Sequence, residues 1–245
     1  RGMQKKEWFA EWFDTRYYHI LYQNRDDEEA KRFIEVLLAF LKLSPNASLL
    51  DLACGKGRHS VTLNTNGYRV LGVDLSPQSI AYAKQFENED LSFSVHDMRI
   101  PIDGVEFDSV FNLFTSFGYF DSQAENVEVC SAIAKMLKPE GKLVIDFMNA
   151  TKVIGNLVVK ERKSLSGIDF NISREYTGTH IVKDITFNEN GEDYHFTERV
   201  QTIDRMEFVK LLEPYFNIEF TFGSFDLDEY IPEKSDRLII IASRK

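Results

Sequence analysis

Two cysteines in 245 residues, Cys54 and Cys130, cannot build a disulfide framework or a four-ligand zinc site. The expectation is a chain of the reducing cytoplasm with no bound metal. Long apolar runs are missing as well. The longest, Val36 to Leu41, has six residues, far short of a bilayer span. The opening residues show no charged-then-apolar leader, and Arg1-Gly2 ahead of Met3 reads as an expression scar. No run of Lys or Arg occurs, and 29 basic against 39 acidic side chains give a net charge of −10. Such a balance argues against phosphate-backbone binding, so neither nucleic acid nor membrane is an expected partner. Repeats and low-complexity linkers are absent too. What remains is ordinary globular composition, 43% hydrophobic and 28% charged, long enough for a full core. One domain over residues 3–245 is expected.

Residues 27–43 carry the clearest helix. Ala30, Phe33, Ile34, Leu37, Leu38 and Leu41 form one stripe of a 3.6-residue period, behind the acidic start Asp26 to Glu29. Residues 5–23, rich in aromatics, are expected to be helical, making 3–45 an N-terminal helical cap. From residue 48 short apolar runs alternate with helix signals. Strands are expected at 48–53, 69–74, 91–95, 107–113 and 142–147, with helices at 58–66, after Ser76-Pro77 and at 125–138, the last closed by Pro139-Glu140-Gly141. This alternation predicts right-handed crossovers and a doubly wound, mostly parallel α/β sheet over 46–150. Residues 160–203 switch to period two around the hairpin signal Asn190-Gly191, predicting a small antiparallel insert. A helix from Asp204-x-x-Glu207 and two strands, 218–222 and 237–242, complete 204–245.

The first strand runs into Asp51-Leu52-Ala53-Cys54-Gly55-Lys56-Gly57, and the second ends on Asp74. In open α/β sheets ligands bind beyond such strand ends, where glycines let the backbone come close and an acid can accept ribose hydroxyls. The dinucleotide pattern G-x-G-x-x-G would need a third glycine where Ser60 stands, so NAD is disfavoured. An adenosine cofactor without phosphates tolerates the change.

These segments resemble the class I S-adenosylmethionine-dependent methyltransferases of small-molecule type. The resemblance covers most of the chain through five motifs in order: Asp51 to Gly57, Gly72-Val73-Asp74-Leu75-Ser76, His96-Asp97-Met98, Phe107 to Phe114, and Leu137-Lys138-Pro139-Glu140-Gly141-Lys142-Leu143. Ala53 replaces the glycine many members carry. The resemblance implies a seven-stranded sheet whose last strand is antiparallel. It also implies S-adenosylmethionine as cofactor, held by Asp51, Ala53, Cys54, Gly55, Gly57, Asp74, Leu75, Ser79, Asp97, Met98, Asn112 and Leu113. Asp74, at a solvent-facing strand end, would take the ribose and Asp97 the adenine amino group. Asp51 would orient the loop or reach the methionine amino group through water, a structural role standing beside it. Cys54 reads as a small buried residue, and His59 and His96 as packing histidines.

The N-terminal aromatics form either an interaction stripe or a lid. In small-molecule members such a segment supplies an arginine to the cofactor's carboxylate. Arg25 fits that role, with Tyr18 sharing the site; a solvated arginine paired with Asp26 to Glu29 is the alternative. Phe114 to Phe120 would line the mouth, with Phe117 and Tyr119 the candidate substrate-pocket residues. No catalytic base stands out.

The function implied is methyl transfer to a nucleophilic oxygen or nitrogen, with a small-molecule acceptor as partner and a homodimer left open. The motif of base-amine methylases is absent from Asn112-Leu113-Phe114-Thr115, and so is a Pro-Cys nucleophile. Two alternatives stand beside it: a non-catalytic nucleotide-binding regulator on the same fold, and an NAD-dependent oxidoreductase. The insert is expected to flank the substrate entrance.

Overall fold

A computed structural model describes residues 7–245. Arg1-Gly2-Met3, the start of the 3–245 domain and the first two positions of the helical segment 5–23 lie outside the described residues.

Both faces of the central strands are apolar, so each strand can be covered from both sides. Strands β1 (Ser48–Leu52), β2 (Arg69–Asp74), β3 (Leu91–Val95), β4 (Phe107–Asn112) and β5 (Leu137–Met148) run parallel. With β10 (Phe216–Phe222) and β11 (Arg237–Arg244) they form a seven-stranded sheet in the order β3-β2-β1-β4-β5-β11-β10. β11 is antiparallel to both neighbours. Alternate residues feed two cores. Leu50, Leu52, Val110, Ile145 and Ile240 meet helices α6 (Gln123–Met136) and α8 (Arg205–Leu212). Leu49, Phe111, Val144 and Ile239 meet α3 (Asp27–Leu41), α4 (Arg58–Thr65) and α5 (Pro77–Ala83). Helix α3 buries its predicted stripe as far as Leu38, and the Asp26 carboxylate caps it by accepting from Glu29 N–H at 3.0 Å.

The local structure differs from the expectations or adds to them at three places. The described part of the segment 5–23 is helical in two pieces, α1 (Trp8–Trp12) and α2 (Arg16–Leu21). They are broken where Thr15 caps α2 and Asp14 turns away to accept from Ser76 Oγ (2.6 Å) and Gln78 N–H (3.0 Å). Pro139-Glu140-Gly141 is a bulge inside β5 rather than a helix stop: Leu137 pairs with Phe107, Lys142 with Ser109, and Glu140 takes φ 64° between them. A short helix α7 (Ala150–Gly155), without a sequence signal of its own, follows β5.

Strands β6 (Lys160–Leu165), β7 (Ile168–Tyr176), β8 (His180–Glu189) and β9 (Glu192–Gln201) form a separate antiparallel sheet. Asn190 and Gly191 close its last hairpin with φ 53° and 82°, the two-residue turn whose twist suits paired strands. Ile168, Phe170, Ile172, Ile185 and Phe187 pack with Trp12 and Leu21 into a third core, fastening this sheet to the N-terminal helices. Among the described residues no helix is long and apolar enough to cross a membrane.

Candidate active site

Strand order reverses between β1 and β4, the place where parallel sheets leave a crevice. A cavity of about 550 Å³ opens there. Its floor comes from the strand ends: Ala53, Cys54, Gly55 and Lys56 after β1, Asp74 and Leu75 at β2, and Asp97 and Met98 after β3. Leu113, Phe114, Thr115, Ser116, Tyr119 and Phe120 follow from β4, and Ser79 from α5. The N-terminal segment supplies Phe9, Phe13, Tyr18, His19, Tyr22 and Arg25, and β9 supplies Glu198.

The loop after β1 turns sharply, with Ala53, Gly55 and Gly57 all at positive φ (63°, 56° and 84°). Alanine rarely holds that conformation, so its neighbours must fix it. Cys54 N–H donates to Val73 O at 2.8 Å and Gly57 N–H to Cys54 O at 3.0 Å. Asp74 completes the brace: Oδ2 accepts from Gly55 N–H and Oδ1 from Ser76 N–H, each at 2.9 Å. Asp74 is therefore half-buried and engaged, not free at a solvent-facing strand end. Burial raises its pKa, and the backbone N–H bonds of Ser76 and Gly55 act against that. A Cβ on Gly55 would meet only open space, whereas one on Gly57 would come within 2.7 Å of the Phe93 ring. Gly57 is thus a packing glycine that lets α4 sit on the sheet. Burial also pushes the Cys54 thiol's pKa far up, so it is an inert small side chain in the wall.

Of the predicted residues, Asp51, Gly57, Asn112 and Phe117 do not line the cavity. Asp51 is buried behind the loop and accepts from Ser60 Oγ at 2.6 Å; desolvation raises its pKa to about 7. Asn112 is buried and donates to Leu52 O at 3.1 Å, tying β4 to β1 across the switch point. Phe117, with 1% exposure, packs on Phe208 in the core because the chain turns it inward ahead of Tyr119.

Asp97 lines the cavity on the far side, clamped by Arg99. The guanidinium donates to both Asp97 oxygens (2.7–3.2 Å), to Glu7 at 2.7 Å and to Glu125 at 2.7 Å. Burial alone would raise the Asp97 carboxyl, but these bonds hold it below its ordinary range. Behind the mouth, Phe114 and Thr115 sit consecutively at φ 59° and 54°. Buried Asp146 holds them: Oδ2 accepts from Phe114 N–H at 2.8 Å, and Arg237 bridges its Oδ1 (2.9 Å) to Thr115 Oγ1 (3.0 Å). The resulting turn stacks Phe114 on His59, 4.3 Å between centroids. Burial, then Arg58 and Arg25, lower the His59 pKa to about 3, so this cavity-lining ring is neutral at pH 7.

On the cap side Arg25 donates to the Tyr18 hydroxyl at 2.6 Å and lies over the Tyr18 and Tyr22 rings. It shows no ion pair with Asp26 to Glu29, and Asp27 pairs instead with Arg58. Glu198 carries no motif and stands outside the predicted set. Its carboxylate accepts from Trp12 Nε1–H at 2.8 Å and from the Tyr22 hydroxyl at 2.8 and 2.9 Å. A signal for it exists in the period of β9. Tyr194 and Phe196 alternate inward, and the next inward position is a carboxylate on an otherwise apolar face.

Residues 43–199, more than half of the chain, match the family described as "Methyltransferase domain". A Streptomyces fradiae relative, dTDP-3-amino-3,6-dideoxy-alpha-D-glucopyranose N,N-dimethyltransferase, is 30% identical over 130 residues, 53% of this chain and 51% of that one. The chain spans about half the length of the first curated relatives it matches. Among solved structures, an S-adenosylmethionine-dependent methyltransferase from Clostridium acetobutylicum aligns with TM-score 0.78 at 16% identity, covering 93% of this chain and 95% of that chain. The amino pentose methyltransferase CalS10 from Micromonospora echinaspora aligns with TM-score 0.68 at 20% identity, covering 94% and 98%. At such identities the structures speak to the fold, and it is the same fold. With the family match running from just after α3 into β9, the chain belongs to the methyltransferase-domain family.

Proposed function

We propose that the chain is a cytoplasmic enzyme that moves a methyl group from S-adenosylmethionine to a nucleophilic nitrogen or oxygen of a small molecule. The observation that carries this is one cavity in which the braced glycine loop, Asp74 and Asp97 converge at the strand-order reversal. The residues present fit the cofactor. Asp74 offers carboxylate oxygens to a ribose, and Asp97, its charge secured by Arg99, accepts from an adenine amino group. Leu75, Ser79, Met98 and Leu113, which line the same cavity, would wall its base. Open space at Gly55 lets backbone approach a ligand. Arg25, with Tyr18, offers a planar fork to the carboxylate. When bound, the sulfonium supplies an electrophilic methyl group and a neutral thioether as leaving group. The chain's own work is alignment and exclusion of water, served by the aromatic roof of Phe9, Phe13, Tyr22 and Tyr119.

Ser60 favours this function over a dinucleotide one, since its hydroxyl is committed to buried Asp51 where a third glycine would pack. The related sugar dimethyltransferase supports a small-molecule acceptor. Calorimetric titration with S-adenosylmethionine, S-adenosylhomocysteine and NAD is the test. Binding of the first two and not NAD is expected, with S-adenosylhomocysteine produced when an acceptor is supplied. A folded protein that prefers NAD, or binds none of the three, would refute it.

A further inference from the structure

The imidazole of His59 forms part of the cavity wall, yet among the described residues its ring nitrogens make no hydrogen bond. His96, His180 and His195 each place a ring nitrogen on a protein partner. The Nε2 of His19, which lines the same cavity, is fully enclosed, whereas His59 is only half-buried. The His59 ring is nonetheless held still. Phe114 stacks on it at 4.3 Å with 29° between the planes. Phe114 is itself fixed by the bond from its N–H to Asp146 and by the rings of Phe33 and Phe225, 5.9 and 5.8 Å away between centroids. Two consecutive residues at positive φ are costly to hold, and what they secure here is the plane of an unbonded imidazole. The charged groups that act on this ring, Arg58 and Arg25, are both cations. Arg58 is paired with Asp27. Arg25 has no ion pair among the described residues and gives one N–H to the Tyr18 hydroxyl, keeping the rest of its fork. With burial, the two cations keep His59 neutral at pH 7, so it has one N–H to donate. What this corner lacks is an anion.

A carboxylate only accepts, with about four lone-pair positions on its oxygens. One guanidinium fork fills about half of them, and in a cavity that excludes water the others need donors from the protein. We propose that His59 is a ligand of the cofactor's carboxylate, its ring N–H donating to one oxygen while Arg25 holds the group from the cap side. This rests on the methyl-transfer function above and adds a residue to its cofactor site. The two donors come from separate elements. Arg25 stands between α2 and α3, and His59 in the first turn of α4, directly after the glycine loop. One carboxylate held by both ties the cap to the sheet. Stacking on Phe114 fits the ring for this task, because a ring that cannot turn keeps its N–H directed without a second bond. An acid group on the acceptor has the same chemistry, and the experiment tells the two sources apart.

The experiment is calorimetric titration of wild type, His59→Phe and His59→Gln, beside thermal melts, with two ligands. One is S-adenosylhomocysteine; the other is its decarboxylated analogue, which keeps the amino group. Phe preserves the stack on Phe114 and removes the N–H, and Gln returns a donor. In His59→Phe the affinity for S-adenosylhomocysteine should fall about ten- to a hundredfold, the range for a hydrogen bond to a charged group, and that for the analogue by no more than about twofold. His59→Gln should lie between wild type and His59→Phe. A second readout needs no variant. In wild type carrying isotope-labelled histidine, the His59 ring N–H should move downfield and exchange more slowly with water when S-adenosylhomocysteine binds, and not when the analogue binds. Should the Phe variant not fold, this signal and the Gln variant carry the test. Unchanged affinity for S-adenosylhomocysteine in a folded His59→Phe protein would overturn the proposal and leave the ring to packing or to an acid group of the acceptor. Equal losses for the two ligands would overturn it as well, since His59 would then act through the shape of the cavity. A folded wild type that binds neither S-adenosylmethionine nor S-adenosylhomocysteine removes the methyl-transfer function, and this proposal with it.

Discussion

Asp74 joins the floor of the cavity to the loop that shapes it, so replacing it perturbs two measurable things. Asp74→Asn keeps the shape and one acceptor oxygen. Of the N–H groups of Gly55 and Ser76, each now 2.9 Å from an oxygen, one would face an amide NH₂ instead. A hydrogen bond to a charged group contributes about 1.5–3 kcal/mol, and at this chain length each kcal/mol moves Tm by about 2–4 °C. The expected fall in Tm is therefore roughly 3–12 °C. Cofactor affinity should fall separately, because a ribose hydroxyl loses a charge-assisted acceptor; the same range converts to roughly tenfold to a hundredfold. Asp74→Ala removes both acceptors and should exceed both figures.

Calorimetric titration with S-adenosylmethionine and S-adenosylhomocysteine, run beside melts with and without ligand, separates the two effects. A pure loop defect lowers the ligand-free melt but leaves the ligand-induced rise nearly intact, since that rise follows RT ln(1 + [L]/Kd). A lost ribose contact shrinks the rise itself. A folded Asp74→Ala protein with wild-type affinity would put the ribose elsewhere and refute the assignment of this strand end.

Arg99→Gln should weaken cofactor affinity several-fold and speed amide exchange over residues 7–13, because one guanidinium holds both Asp97 and Glu7; unchanged exchange there would disconnect clamp from cap. Asp51, raised to about 7 by burial, contributes stability that is fully present below its unfolded value and is lost as pH rises through about 7. Asp51→Asn should therefore melt increasingly above wild type from pH 4 to 7, by on the order of a few kcal/mol, with the gap level beyond; a gap flat across pH would contradict the burial argument. Arg237→Leu leaves the buried Asp146 carboxylate without its counter-ion, which should cost about 3–5 kcal/mol, and adding Asp146→Asn should restore part of the lost Tm. Equal melts for the single and double variants would show that the charge is not the cause.

The sheet and the cavity wall at its strand ends are legible in the chain because their determinants are local. Each strand end carries its own motif within a few residues, and Asp74, Gly55, Asp97 and Leu113 arrive at the cavity by following their strands. What sequence could not separate is depth. Asp51, Gly57 and Asn112 occupy motif positions yet serve one layer behind, in a carboxylate–hydroxyl pair, a helix–sheet contact and a strand tie. Spacing along a motif shows that residues act together, and only packing shows which of them faces a ligand. Phe117 and Tyr119 make the same point: two residues apart in an irregular segment, one enters the core and the other the cavity.

The opposite wall was illegible for a different reason. Trp12 and Tyr22 meet Glu198 across 186 and 176 residues, a juxtaposition that no window of sequence contains. It depends on two features of the insert. Its apolar face must dock on the cap, which Phe187, Tyr194 and Phe196 accomplish against Trp12 and Tyr17. Its last strand must also be anchored to the mouth, as it is by Gln201 N–H donating to Gly118 O at 2.8 Å and Gln201 Nε2 to Phe120 O at 2.6 Å. Between those fixed points β9 has one register, and Glu198 shares the face of Tyr194 and Phe196. A slip of one residue would turn Glu198 outward and bring Thr197 or Arg199 to the cavity instead. The chemistry of this wall is thus set by the pairing of an antiparallel hairpin. Variation in that hairpin can change this side of the cavity while the side built from the parallel strands stays as it is.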